Sequence, residues 1–233
     1  MGQIFLVRSA QASFGSADYD QLSARGVQQA RLLGRWFASR GQQFHRVLTG
    51  GMVRHAQAAH ACQAEMPAGA WPSLRDTEAG FAEFDHHEVM LRHCPEFADP
   101  AALALRLAGQ PAPQRAMEQL FRAAMQRWMT GWHDDQYAEA WPEFRGRVVA
   151  ALERLDRPDS KQATLVFTSS GVIATVMQHV LGLQDYQVME MTWKMANCSV
   201  TRLLHRPGEF GLDYFNNYAH LEALGGPDVL TYR

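Results

Sequence analysis

The chain has 233 residues, of which 47% are hydrophobic and 20% charged. That is ordinary globular composition at a length suited to one α/β domain, and it excludes a disordered or fibrous chain. The 22 basic and 24 acidic side chains leave a formal net charge of -2, so no basic excess points to nucleic acid or to an anionic membrane.

A chain of this length buries roughly 70% of its unfolded surface and needs neither disulfides nor a metal to hold its core. All of the basic residues except Lys161 and Lys194 are arginine. The bias runs along the whole chain beside abundant alanine and reads as coding composition, although arginine also suits bidentate oxyanion contacts. Cys62, Cys94 and Cys198 are odd in number and match no zinc or redox spacing, which implies reduced thiols in a cytoplasmic protein. The apolar run at residues 4–7 is too short for a signal-peptide core, and Leu6 breaks the myristoylation pattern that Gly2 opens. No apolar stretch approaches the ~20 residues of a membrane span.

Ile4-Phe5-Leu6-Val7 predicts a short strand buried on both faces. Ser23 is placed to cap a helix running to about Ser39, with Val27, Ala30, Leu32, Leu33 and Phe37 on its apolar side and Gly41 as its stop. A second strand is expected at residues 46–49, then a helix from about Val53 to Glu65. Residues 71–83 read as strand and loop. Helices are expected at about 99–108, 113–131 and 141–156, with Pro100, Pro113 and Pro142 near their starts. Residues 164–168 form the clearest buried strand, followed by Ser169-Ser170-Gly171 and a helix at 172–181 stopped by Gly182. Residues 199–204 and 211–215 complete the strands. Alternating strands and helices indicate an α/β class with a mainly parallel sheet.

Three polar clusters directly follow apolar strands: Arg8-Ser9-Ala10-Gln11, the Gly50–Arg54 stretch, and Ser169-Ser170-Gly171. Ligand crevices in open α/β sheets lie at the carboxyl ends of strands. A strand, a small-residue turn and a helix N-terminus also make a ready anion site, because the first backbone N–H groups are unpaired. Arg8, Arg54 and the hydroxyl donors suit a phosphate or carboxylate. Read singly, each arginine is equally a surface residue and each serine a turn or cap residue.

These segments carry a resemblance. Leu6-Val7-Arg8-Ser9-Ala10-Gln11-Ala12 resembles the Leu-Val-Arg-His-Gly-Gln-Thr/Ala signature of the histidine phosphatase superfamily, the phosphoglycerate-mutase-like proteins. Leu22-Ser23, Gly26 and Gln29-Ala30 resemble its first helix, and Arg54-His55-Ala56-Gln57-Ala58-Ala59 its Arg-Ala-x-Gln-Thr-Ala. Phe81-Ala82-Glu83-Phe84 resembles the segment bearing its acidic residue, and residues 165–173 its Val-Val-Ser-His-Gly-Gly-Val-Ile turn. Asn197, Ser199, Asn217 and His220-Leu221 extend the likeness to the end of the chain. It implies a three-layer α/β/α sandwich with a mainly parallel central sheet. It further implies a single domain over residues 1–233 with a helical cap or insertion at about 95–140.

The same resemblance implies a site. Family members use a histidine nucleophile that becomes phosphorylated, a second histidine and two arginines that bind the phosphoryl oxygens, and an acid that protonates the leaving group. Ser9 stands at the nucleophile position and Glu83 at that of the acid. Arg8, Gln11, Arg54, Ser169 and Ser170 stand where phosphate is bound, with Ser169 replacing the second histidine. Ala10 and Ser170 replace the glycines after each histidine, adding a Cβ at both half-sites. A serine hydroxyl needs a general base within reach, so the phosphohistidine route is expected to be closed. No cofactor and no metal are implied.

His55, His86 and His87 are read as polar rim or surface histidines, with catalysis relocated to His86 or His87 as the further reading. Asp85-His86-His87-Glu88, taken as a strand, points its side chains apart rather than toward a metal. Glu83 is equally an acid or an ion-pair partner of the arginines. The run Met117-Leu120-Phe121-Met125-Trp128-Met129 has helical spacing and reads as core, with a lid or a homodimer face as further readings. Three functions remain in view. They are a catalytically silent binder of a small phosphorylated or anionic ligand, a phosphomonoesterase with a relocated nucleophile, and a partner-binding pseudoenzyme.

Overall fold

Apolar runs bounded by polar turns become the centre of one sheet. The computed structural model describes residues 1–13, 20–72, 75–156 and 162–232, so residues 14–19 of the polar stretch after the first strand, and Lys161, lie outside it. The first half of the chain supplies β1 (Gly2–Arg8), α1 (Ala24–Ser39), β2 (Arg46–Thr49), α2 (Val53–Gln63) and β3 (Arg75–Thr77). Four helices follow: α3 (His86–His93), α4 (Pro100–Ala108), α5 (Pro113–Met129) and α6 (Trp141–Glu153). The remainder comprises β4 (Ala163–Thr168), α7 (Ser170–Leu181), α8 (Asp185–Lys194), β5 (Val200–Arg206), β6 (Glu209–Asn217) and α9 (Ala219–Gly225).

Among the described residues the sheet has six strands in the order β3-β2-β4-β1-β5-β6. The first four are mutually parallel, whereas β5 runs antiparallel to β1 and β6 antiparallel to β5. The expected mainly parallel α/β sheet is therefore present. β1 and β4 sit at its centre, and Ile4, Leu6, Val7, Leu165, Val166 and Phe167 are fully buried, as strands covered on both faces must be.

Local chemistry accounts for the helix ends. Ser23 caps α1 by accepting the Gly26 N–H at 3.0 Å. Gly182 ends α7 in the left-handed region at φ 67°, which a side chain would strain. Asp85 caps α3 through the His87 and Glu88 N–H groups. The Asp85–Glu88 tetrad is thus a helix start, not a strand. Sequence reading also passed over α8 and α9; both are short and weakly periodic, and packing rather than propensity holds such helices.

Two compact units divide the chain: Met1–Glu83 with Val148–Arg233, and Phe84–Arg147. In the first, Phe5, Phe37 and Phe44 pack edge to face at centroid distances of 5.0 to 5.9 Å beneath the sheet. In the second, Trp128 is 1% exposed and packs among Phe84, Trp141 and Phe144, its indole N–H donating to Glu139 O at 2.9 Å. Met125, Trp128 and Met129 are buried there, so this part of the Met/aromatic run is core. Among the described residues no helix is long and apolar enough to cross a membrane.

Candidate functional site

Strand order decides what can meet. β2, β4 and β1 are neighbours and parallel, so the residues after each emerge at the same edge of the sheet. Register makes the ends level, with Arg8 opposite Thr168 and Thr49 opposite Phe167. Backbone bonds then tie the three turns together: the Ser9 N–H donates to Thr168 O at 2.7 Å and the Gly50 N–H to Phe167 O at 3.0 Å. The Thr168 hydroxyl donates to Phe81 O at 2.7 Å and draws in the segment carrying Glu83. Gly50 has no room for a side chain, because a Cβ there would lie 2.1 Å from Phe81 O and 2.9 Å from His55 Nδ1.

Side chains at this edge are largely spoken for. Arg54 is 7% exposed and donates through Nη1 to Asp20 Oδ1 at 3.0 Å. The same carboxylate accepts the Val53 N–H at 2.8 Å and the Arg54 N–H at 3.4 Å. An internal anion therefore sits where a helix N-terminus and a guanidinium converge. The N-terminus of α7 is filled in the same way, with the Gly171 N–H donating to Glu83 Oε2 at 2.9 Å. Glu83 is 8% exposed, and Ser9, Ser169 and Ser170 are 7%, 4% and 9% exposed.

Arg8 and Gln11 are engaged elsewhere. Arg8 donates to Met195 O and, at 3.0 Å, to Tyr232 O. Gln11 turns toward α1, its side-chain oxygen accepting from Ser23 Oγ at 2.9 Å and its N–H donating to Gln29 Oε1 at 2.9 Å. The Ser9 hydroxyl donates to Ala10 O at 3.2 Å, a carbonyl that cannot take its proton. The Ser9 carbonyl accepts from Asn197 Nδ2 at 3.2 Å.

His55 departs from its expected place at the rim. It is fully buried, with Nε2 2.8 Å from Ser169 Oγ and no partner for Nδ1. Burial, with the neighbouring Arg54 charge, lowers its pKa to about 3 and keeps the ring neutral. His86 is half-buried against Phe84 and Phe121, and His87 is exposed on α3. His220 is also buried, which lowers its pKa to about 4 against a hydrogen bond to the Cys198 backbone. Cys62 and Cys198 are fully buried thiols, both pushed up by burial.

Two participants were missed from sequence. Asp20 has no local signal, since it lies 33 positions from the helix it caps. His55 did leave one, an imidazole where the resembled pattern has alanine. An apolar groove of about 650 Å³ along α1 and α2, adjoining this site at Val53, is lined by residues including Leu22, Val27, Met52 and Ala56.

Comparison with known proteins adds to this picture. The family model described as "Histidine phosphatase superfamily (branch 1)" matches residues 4–104 and 110–218. Among curated proteins no sequence match is found. A mutant phosphoserine phosphatase from Entamoeba histolytica, in complex with phosphoserine, superposes with a TM-score of 0.64 at 14% identity, covering 95% of this chain and 100% of that one. Phosphoglycerate mutase from Bacillus anthracis str. Sterne gives 0.62 at 16% identity, over 94% and 95% of the two chains. The protein histidine phosphatase SixA, complexed with tungstate, gives 0.56 at 13% identity, over 94% and 99%. At identities this low the superpositions establish a shared phosphoglycerate-mutase-like fold and nothing beyond it.

Proposed function

The chain belongs to the histidine phosphatase superfamily, and within it we propose that it is a cytoplasmic oxyanion-binding protein in which the phosphohistidine route is closed. Its ligand is a small phosphorylated or otherwise anionic molecule. One observation carries this reading: the Asp20 carboxylate spans the Arg54 guanidinium and the first N–H groups of α2, so the site already holds an anion of the chain's own. The Asp20 side chain is 32% exposed against 8% for that of Arg54, so an incoming phosphate approaches from the Asp20 side and replaces a carboxylate with a doubly charged group. Glu83 holds the neighbouring N-terminus of α7 in the same manner.

The residues at the reacting positions support the loss of phosphohistidine chemistry. Ser9 is not a nucleophile at neutral pH without a base, and its hydroxyl is bonded to a carbonyl. Ala10 adds a buried Cβ where the resembled signature has glycine. Tungstate in SixA and phosphoserine in the Entamoeba phosphatase are oxyanion ligands of proteins with this fold, which agrees with the reading.

Isothermal titration with inorganic phosphate, sulfate and phosphoserine tests the proposal. Arg54→Ala removes a charge-assisted contact worth about 1.5–3 kcal/mol, a weakening of about 10- to 150-fold. Background turnover of p-nitrophenyl phosphate and absence of an acid-labile phosphoprotein are expected alongside. No binding of any of the three anions refutes the proposal, as does an acid-labile phosphoryl label.

A further inference from the structure

The His55–Ser169 pair has a geometry that structural capping does not explain. Ser169 is the N-cap of α7, where a serine hydroxyl ordinarily accepts an N–H from the first turn. Here it makes no such bond, and the Gly171 N–H is taken by Glu83. The hydroxyl instead lies 2.8 Å from His55 Nε2. The imidazole has displaced the small residue that the family pattern carries in α2, while a serine has replaced the imidazole of the β4–α7 turn. The ring's second nitrogen, Nδ1, is buried with no partner.

We propose that Ser169 is a phosphoryl acceptor and His55 the group that takes its proton. This rests on the oxyanion-binding reading above, since the donor's phosphoryl group must enter the same cluster. The chemistry is consistent with each neighbour. His55 is neutral, as a proton acceptor must be, because burial and Arg54 disfavour its charged form. A phosphoryl dianion beside Arg54 opposes that charge and makes the ring a stronger base at the moment of reaction.

Burial and the engagement of Glu83 define the donor. Ser169 is 4% exposed, which admits a small molecule only. Glu83 serves as an acceptor to Gly171, so a leaving group that departs without a proton is required. A small acyl phosphate meets both conditions. The Ser169 Oγ lone pair attacks phosphorus, the Oγ–P bond forms, and the P–O bond to the acyl group breaks. The carboxylate leaves with the bonding pair, and the hydroxyl proton passes to His55 Nε2 and from there to an oxygen of the new phosphoserine, whose second ionisation at about pH 6 makes it a stronger base than the buried ring. The products are a phosphoserine at position 169 and a free carboxylate.

The test is incubation of the whole chain with acetyl phosphate, followed by intact mass and peptide mapping. The expected result is one phosphoryl group per chain, stable in acid, on the peptide containing Ser169. It is absent from Ser169→Ala and slowed about 100-fold or more in His55→Gln, which keeps a polar amide but takes no proton. Calorimetry with inorganic phosphate on each protein reports folding and oxyanion binding independently of the label. Wild-type protein that binds phosphate but carries no label, or carries it at Ser9 or on a histidine, overturns the inference. Neither phosphate binding nor labelling overturns the proposed function as well.

Discussion

Acid should unfold this protein through two histidines that fold in the neutral state. Burial holds the pKa of His55 at about 3 and that of His220 at about 4, whereas in the unfolded chain a histidine titrates near 6.5. The unfolded state therefore binds more protons, and stability is lost as pH falls from about 6.5 toward those folded values. At about pH 4.5 protonation stabilises each unfolded histidine by about 2.7 kcal/mol, and the folded ones gain almost nothing. Subtracting the small term already present at neutral pH leaves a loss of about 2.5 kcal/mol per histidine, or about 5 kcal/mol together. That is a large share of the ~5–15 kcal/mol typical of a domain. Urea unfolding followed by tryptophan fluorescence, between about pH 7 and pH 4.5, measures it. His220→Gln removes one of the two groups and should remove about half of this loss. Superimposable pH dependences for wild type and His220→Gln would refute the reasoning.

Removing the internal anion with Asp20→Ala should tighten inorganic phosphate binding about 10-fold while costing α2 about 1 kcal/mol of capping, read by calorimetry and thermal melting. Unchanged or weaker binding would show that Asp20 does not compete for the site. Gly50→Ala drives a Cβ to 2.1 Å from Phe81 O, backbone that cannot swing aside. A loss of about 3 kcal/mol is expected in denaturant titration, and a loss below about 1 kcal/mol would contradict the close approach. Trp128→Ala empties the aromatic cluster of the helical unit and should cost about 3–5 kcal/mol. A retained melting temperature would refute its role as core.

Much of the framework was legible in the residues. Buried strands such as β1 and β4 announce themselves as short apolar runs because neither face meets water. Ser23 and Gly182 mark helix ends through chemistry confined to a few neighbouring atoms. α8 and α9 escaped because short helices depend on tertiary contacts that no local period records. The tetrad from Asp85 starts a helix rather than a strand because its capping signal lies in a side-chain bond to the backbone two and three residues on.

The sequence by itself determined which turns carry polar groups: Arg8 and Ser9 after β1, Arg54 at the start of α2, Ser169 and Ser170 after β4. By resemblance it also places Ser9 and Ser169 where the family pattern has histidine. Only the tertiary structure decided how those groups are used. Placing β4 between β2 and β1 brings His55 within hydrogen-bond distance of Ser169 across 114 positions of chain. Chain folding likewise seats Asp20 on Arg54, draws Glu83 to α7, and commits Arg8 to the carbonyls of Met195 and Tyr232. The physical reason is the same in each case. A residue's type sets what it can bond, but strand order and register set which partners come within 3 Å of it.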